Sequence, residues 1–76
     1  GLVDKKYVAD CLVRLGIAYN ANKNHFNELK YLKRGYKIYM KLKPETLADH
    51  LDIAECLKSL GTAYGNNNKH DEELHY

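Results

Sequence analysis

The sequence is short of the residues that carry covalent chemistry. It has a single serine, Ser59, with no base placed beside it, and no glycine-rich loop of the kind that cradles phosphate. The reading is therefore not an enzyme. Two cysteines, Cys11 and Cys56, lack any Cys-x-x-Cys neighbour and are too few for a disulfide-dense mini-protein. No Asn-x-Ser/Thr sequon occurs, so a reducing, cytoplasmic setting is expected. No run of about 18 apolar residues is written, and no charged-then-apolar leader, so neither a membrane span nor a signal peptide is expected. The first residue is Gly1 rather than Met, which reads as an excised piece.

What is present fits one small domain of 76 residues. A core of this size supplies only about 3–5 kcal/mol on its own, so further cover is expected from neighbouring polypeptide. Twelve Lys and Arg against ten Asp and Glu give a formal charge of +2, too small a total to imply a nucleic-acid partner.

The chain repeats itself. "CLVRLGIAY" (11–19) returns as "CLKSLGTAY" (56–64), an offset of 45 residues. At that offset residues 8–31 pair with 53–76, and 12 of the 24 pairs are identical. Ordinary residue usage would give about one or two. An internal period of this length points to a solenoid, in which each unit has an apolar face that only a neighbouring element can cover.

Periodicity identifies the unit. Val8, Cys11, Leu12, Leu15, Ala18 and Tyr19 recur at steps of three and four, as do Ile53, Cys56, Leu57, Leu60, Ala63 and Tyr64; both sets line one side of a helix. Leu29, Leu32, Tyr36 and Tyr39 mark a further helix from about Asn24 to Leu42. "NANKN" (20–24) and "GNNNK" (65–69) read as tight inter-helix turns, because Asn accepts left-handed backbone and caps a following helix. Pro44 stops the second helix, and Thr46 with Asp49 forms a capping box for the next. Gly16 and Gly61, each costing about 1 kcal/mol within a helix, are expected at close helix crossings.

Leu-Gly-x-Ala-Tyr at 15–19 and 60–64, with Leu12 and Leu57 three residues earlier, then an Asn-rich turn and Glu-Leu-x-Tyr at 28–31 and 73–76, resembles a tetratricopeptide repeat. The closer likeness is to the long variety found in kinesin light chains. Asp49-His50-Leu51-Asp52-Ile53-Ala54 is similar to the opening of that family's first helix, and Lys69-His70-Asp71-Glu72-Glu73-Leu74-His75-Tyr76 to that of its second. A HEAT-type array has a compatible repeat length but would not be expected to carry the Leu-Gly-x-Ala-Tyr signature. Glu28 and Glu73 stand where the family has a small residue, Gly35 where a later small one is expected, and Leu51 replaces Pro, which lets that helix begin near Thr46.

The resemblance implies an all-α fold of antiparallel helix-turn-helix units. Unit 1 would span about 3–44 and unit 2 about 46–76, the latter with its second helix truncated. It also implies a concave peptide-binding groove, carried over by register to Asp10, Val13, Arg14, Ile17 and Asn20 on one helix and Glu55, Lys58, Ser59, Thr62 and Asn66 on another. The paired Asn of the kinesin light chain pattern are replaced by Val13-Arg14 and Lys58-Ser59, so peptide preference should differ. The Lys and Asn with which other members grip an acidic chaperone tail are replaced by Val13 and Ile17.

Two further features remain. His70 and His75 are five apart, about 140° around a helix, so they do not converge on a metal, and His25 and His70 read as packing residues. Cys11 and Cys56 read as buried thiols too far apart to bridge. Lys30, Lys33, Arg34, Lys37 and Lys41 fall on one side of the second helix, with no acid between Glu28 and Glu45. This basic stripe reads first as a solvated outer face; a docking strip for an acidic protein, RNA or an anionic membrane is the alternative.

The expectation is a protein-interaction segment of a longer repeat array, with a peptide or protein partner and no cofactor or metal. The alternative is a structural segment that self-associates or exchanges helices with a second copy.

Overall fold

The computed structural model describes the backbone of residues 2–75 and the side chains of residues 4–68. The chain is all-α: α1 (Leu2–Ala21), α2 (His25–Leu42) and α3 (Leu47–His75), with no strand among the described residues. α3 alone has 29 residues, so at about 1.5 Å per residue it accounts for most of the 47 Å long axis.

Local chemistry sets both turns. After α1, Lys23 takes a left-handed φ of 60°, and its N–H and that of Asn24 return to the carbonyls of Asn20 and Tyr19 at 2.9 Å. Asn24 then caps α2 by accepting from the Asn27 N–H at 3.3 Å. After α2, Lys43 is left-handed (φ 56°) and Pro44 prevents continuation. The expected capping box is present: the Asp49 N–H donates to Thr46 Oγ1 at 3.1 Å, and the Thr46 N–H to Asp49 Oδ2 at 3.2 Å. α3 accordingly begins at Leu47, a turn earlier than Leu51.

α2 lies between the other two helices and supplies the centre of the core. Ala9, Leu32, Tyr39, Cys56, Leu60 and Ala63 are buried, with Val13, Leu29, Tyr36, Ile38 and Ile53 packed around them. The approach of α1 to α2 depends on two glycines. A Cβ at Gly16 would lie 2.8 Å from Leu32 Cγ and 3.1 Å from the Glu28 carbonyl oxygen; one at Gly35 would lie 2.8 Å from Val13 Cγ2 and 3.2 Å from the Ala9 carbonyl oxygen. Neither gap admits another atom.

Four expectations are corrected. "GNNNK" is no turn: α3 runs through it, so unit 2 has no second antiparallel helix over the described backbone. The Asn residues instead tie helices together, Asn67 Nδ2 donating to the carbonyls of Ala63 and His25 (both 2.9 Å) and Asn66 Nδ2 to Asn20 Oδ1 (3.3 Å). Gly61 sits at no crossing, since nothing lies within 4 Å of a Cβ there. The two matching stripes are used from opposite sides: α1 buries Ala9 and Gly16 and leaves Val8, Cys11, Leu15 and Ala18 exposed, whereas α3 buries Cys56, Leu60 and Ala63 and leaves Leu57 and Tyr64 exposed. Cys11 is therefore an exposed thiol, not a buried one. The reason is position: α2 lies on one side of α1 and on the other side of α3. His70, Glu73, Leu74, His75 and Tyr76, read as the opening of a further helix, lie outside the residues whose side chains are described.

Candidate functional site

Two concavities among the described residues bear on the expected groove. The first, about 210 Å³, lies between α1 and α3 and is lined by Ile17, Asn20, Glu55, Lys58, Ser59 and Thr62, with Glu28 of α2 as a further wall. Six of the ten expected groove positions thus meet in one place. Asn66 joins them at the edge through its bond to Asn20. Three do not: the Asp10 carboxylate accepts from the Tyr39 hydroxyl and faces the second cavity, Val13 packs against Gly35 in the helix crossing, and Arg14 is exposed away from both cavities.

Glu28 is the residue that register alone did not assign to the groove. Its side chain is 2% exposed, and its Oε1 lies 2.9 Å from His25 Nδ1, a geometry in which the ring N–H donates to the carboxylate. His25 thus serves as the buried carboxylate's partner. The signal in the sequence was the Glu itself, standing where a small residue was expected. Chemically the groove offers one apolar side chain, Ile17, opposed charges at Glu55 and Lys58, and neutral polar groups at Asn20, Ser59 and Thr62. The Thr62 hydroxyl donates to the Lys58 carbonyl at 3.2 Å, which leaves its oxygen free to accept.

The second cavity, about 480 Å³, lies at the other end, where α1 meets the α2–α3 connection. Its charges answer one another. Lys6 Nζ is 3.0 Å from Asp49 Oδ1 and 3.6 Å from Asp52 Oδ2. The hydrogen bond from Lys6, then those from the backbone N–H groups of Glu45 and Thr46, hold the Asp49 carboxyl well below the usual carboxylate range, and the bond to Asp49 raises Lys6. Burial, followed by the bond to Asp10, pushes the Tyr39 phenol well above its ordinary value. Among the described residues no group of three His, Cys, Asp or Glu is placed to hold a metal ion.

The basic stripe is solvent-facing along its whole length: Lys30, Lys33, Arg34, Lys37 and Lys41 are all exposed. Lys30 and Arg34 stand over the Tyr31 ring, both 5.6 Å from its centroid, and Lys33 stands 5.1 Å over that of Tyr64. No described helix is long and apolar enough to cross a membrane.

No family profile matches this chain, and no curated protein or solved structure matches it either.

Proposed function

We propose that the chain is a protein-interaction segment of the tetratricopeptide type, which holds an extended peptide in the groove between α1 and α3. The observation that carries this reading is the convergence of Ile17 and Thr62, residues equivalent at the 45-residue offset, in one concavity with Asn20, Glu55, Lys58 and Ser59. An apolar side chain among polar groups that keep acceptor or donor capacity toward the groove suits a peptide that packs one aliphatic side chain there and bonds through its backbone. The larger cavity is a weaker candidate because Lys6, Asp49 and Asp52 already satisfy one another. A reducing, cytoplasmic setting belongs to the reading, supported by two free thiols of which Cys11 is exposed.

Selection from a displayed library of extended peptides, followed by titration of an enriched peptide into isotopically labelled protein, tests it. Amide shifts should centre on Ile17, Glu55, Lys58 and Thr62. Ile17→Glu and Lys58→Glu should each weaken binding about tenfold or more with helicity unchanged. Shifts confined to another face, or failure to enrich any peptide, would refute the groove.

A further inference from the structure

Charge is sorted by side in this molecule. Among the described side chains, Asp10, Glu45, Asp49 and Asp52 line the larger cavity, Glu28 and Glu55 line the groove, and Asp4 stands on the first turn of α1. None lies on the outer face of α2, where the basic stripe is exposed from Lys30 to Lys41. Lys30 and Arg34, Lys33 and Lys37, and Lys37 and Lys41 are like-charge pairs four residues apart, each mildly destabilising to the free helix. An anion outside the molecule relieves all three.

The stripe also has an apolar margin. Phe26, Lys33 and Met40 follow one another at steps of seven and so share one row of α2. This row borders α3, because Lys33 Nζ stands 5.1 Å over the Tyr64 ring. α2 and α3 run antiparallel, with the His25 carbonyl bonded to Asn67 and that of Leu32 to Cys56. Met40 lies seven residues after Lys33 and Leu57 seven before Tyr64, which places both about two turns further along the same seam. Phe26 is 74% exposed, and Met40, Leu57 and Tyr64 are 48%, 49% and 47% exposed. One exposed apolar side chain needs no explanation; four along one seam beside a basic stripe make a surface.

We propose that this flank of α2 and α3 docks on an anionic lipid bilayer, lying on it without crossing it. The cations of the stripe sit among the head groups, and Phe26, Met40 and Leu57 enter the boundary with the acyl chains. Two observations favour a bilayer over a nucleic acid or an acidic protein. The rings on which bases would stack are already engaged: Tyr31 is stacked on Tyr19 and approached by Lys30 and Arg34, and Tyr64 lies under Lys33. Neither cavity takes a residue from the stripe or the seam, so the flank offers no pocket for a partner's anchoring side chain. A planar surface needs only side chains that stand out from the fold. The groove between α1 and α3 opens elsewhere and stays accessible to a peptide.

Cosedimentation with vesicles tests the docking, with circular dichroism as the control for fold. One set of vesicles is phosphatidylcholine alone and the other contains about one third phosphatidylserine. The chain should partition onto the second set and not the first, and added salt should weaken the binding. Lys37→Glu should lower the partition coefficient at least about tenfold, and Phe26→Ser severalfold, both with helicity retained. Arg14→Glu makes the same change in net charge at an exposed position of α1 outside this flank, and should have much the smaller effect. Equal partition onto both sets, an Arg14→Glu loss as large as that of Lys37→Glu, or no vesicle binding while poly-uridine or poly-glutamate is bound, overturns the proposal.

Discussion

The side-chain amide of Asn67 donates to the carbonyl oxygen of His25 at 2.9 Å, fastening α3 to the first turn of α2. The same nitrogen donates to the Ala63 carbonyl one turn back, also at 2.9 Å. Asn67→Ala removes both bonds while improving helix propensity by a few tenths of a kcal/mol, so the net loss should be about 0.5–1.5 kcal/mol. Urea denaturation reads the loss, and amide exchange should quicken first around His25. An unaltered midpoint would mean that this tie contributes nothing.

Two glycines at equivalent positions should respond to the same substitution with opposite signs. Gly16→Ala forces a methyl to within 2.8 Å of Leu32 Cγ and 3.1 Å of a backbone oxygen, and overpacking of that kind costs about 1–3 kcal/mol. Gly61→Ala meets open space and gains up to about 1 kcal/mol from helix propensity. Thermal denaturation of the two variants beside wild type separates the two. Equal effects would show that the letters rather than the packing decide.

Those glycines also mark how far the sequence could be read. The signature predicted a close crossing at Gly16 and Gly61, and Gly16 meets it; Gly35, read only as a small-residue position, makes a second crossing. Gly61 does not, because identical letters describe a face and say nothing about which neighbour arrives. The turns divide in the same way. "NANKN" turns where Lys23 goes left-handed and Asn24 caps, a purely local event. "GNNNK" stays helical with Asn66 and Asn67 bonded to groups on α1 and α2, partners far away in sequence. The Thr46–Asp49 box, local throughout, was legible in full. In the groove, register found Ile17, Asn20, Glu55, Lys58, Ser59 and Thr62, but it could not find Glu28, which reaches the site from the other helix type.

The two thiols should be easy to tell apart. Cys56 is buried, its Sγ directed at the Leu32 carbonyl at 3.9 Å, and burial pushes its pKa up to about 11. Cys11 is exposed. Because the thiolate is the nucleophile, a maleimide or disulfide reagent at pH 8 should modify Cys11 promptly, leaving Cys56 to react only through opening of the fold. Mass spectrometry of the first adduct checks this. Equal labelling of both cysteines in native buffer would contradict the α2–α3 packing.

The start of α3 should be acid-sensitive. The Asp49 carboxylate accepts from Lys6 Nζ and from the N–H groups of Glu45 and Thr46, and each bond favours its charged form, so its folded pKa lies below its unfolded one. The sign follows from proton binding. In the window between the two pKa values the unfolded chain holds the extra proton, so stability rises with pH there. The contribution is complete above the ordinary carboxylate pKa and drains away as pH falls through the depressed one. Asp49→Asn should therefore be less stable than wild type at neutral pH, with the difference shrinking steadily in acid. Thr46→Ala, which removes the other half of the box, should cost about 1 kcal/mol with little dependence on pH. Urea midpoints of the three proteins from neutrality to below pH 3 provide the comparison. A wild-type and Asp49→Asn difference that stays constant across that range would show that the carboxylate acts through shape rather than charge.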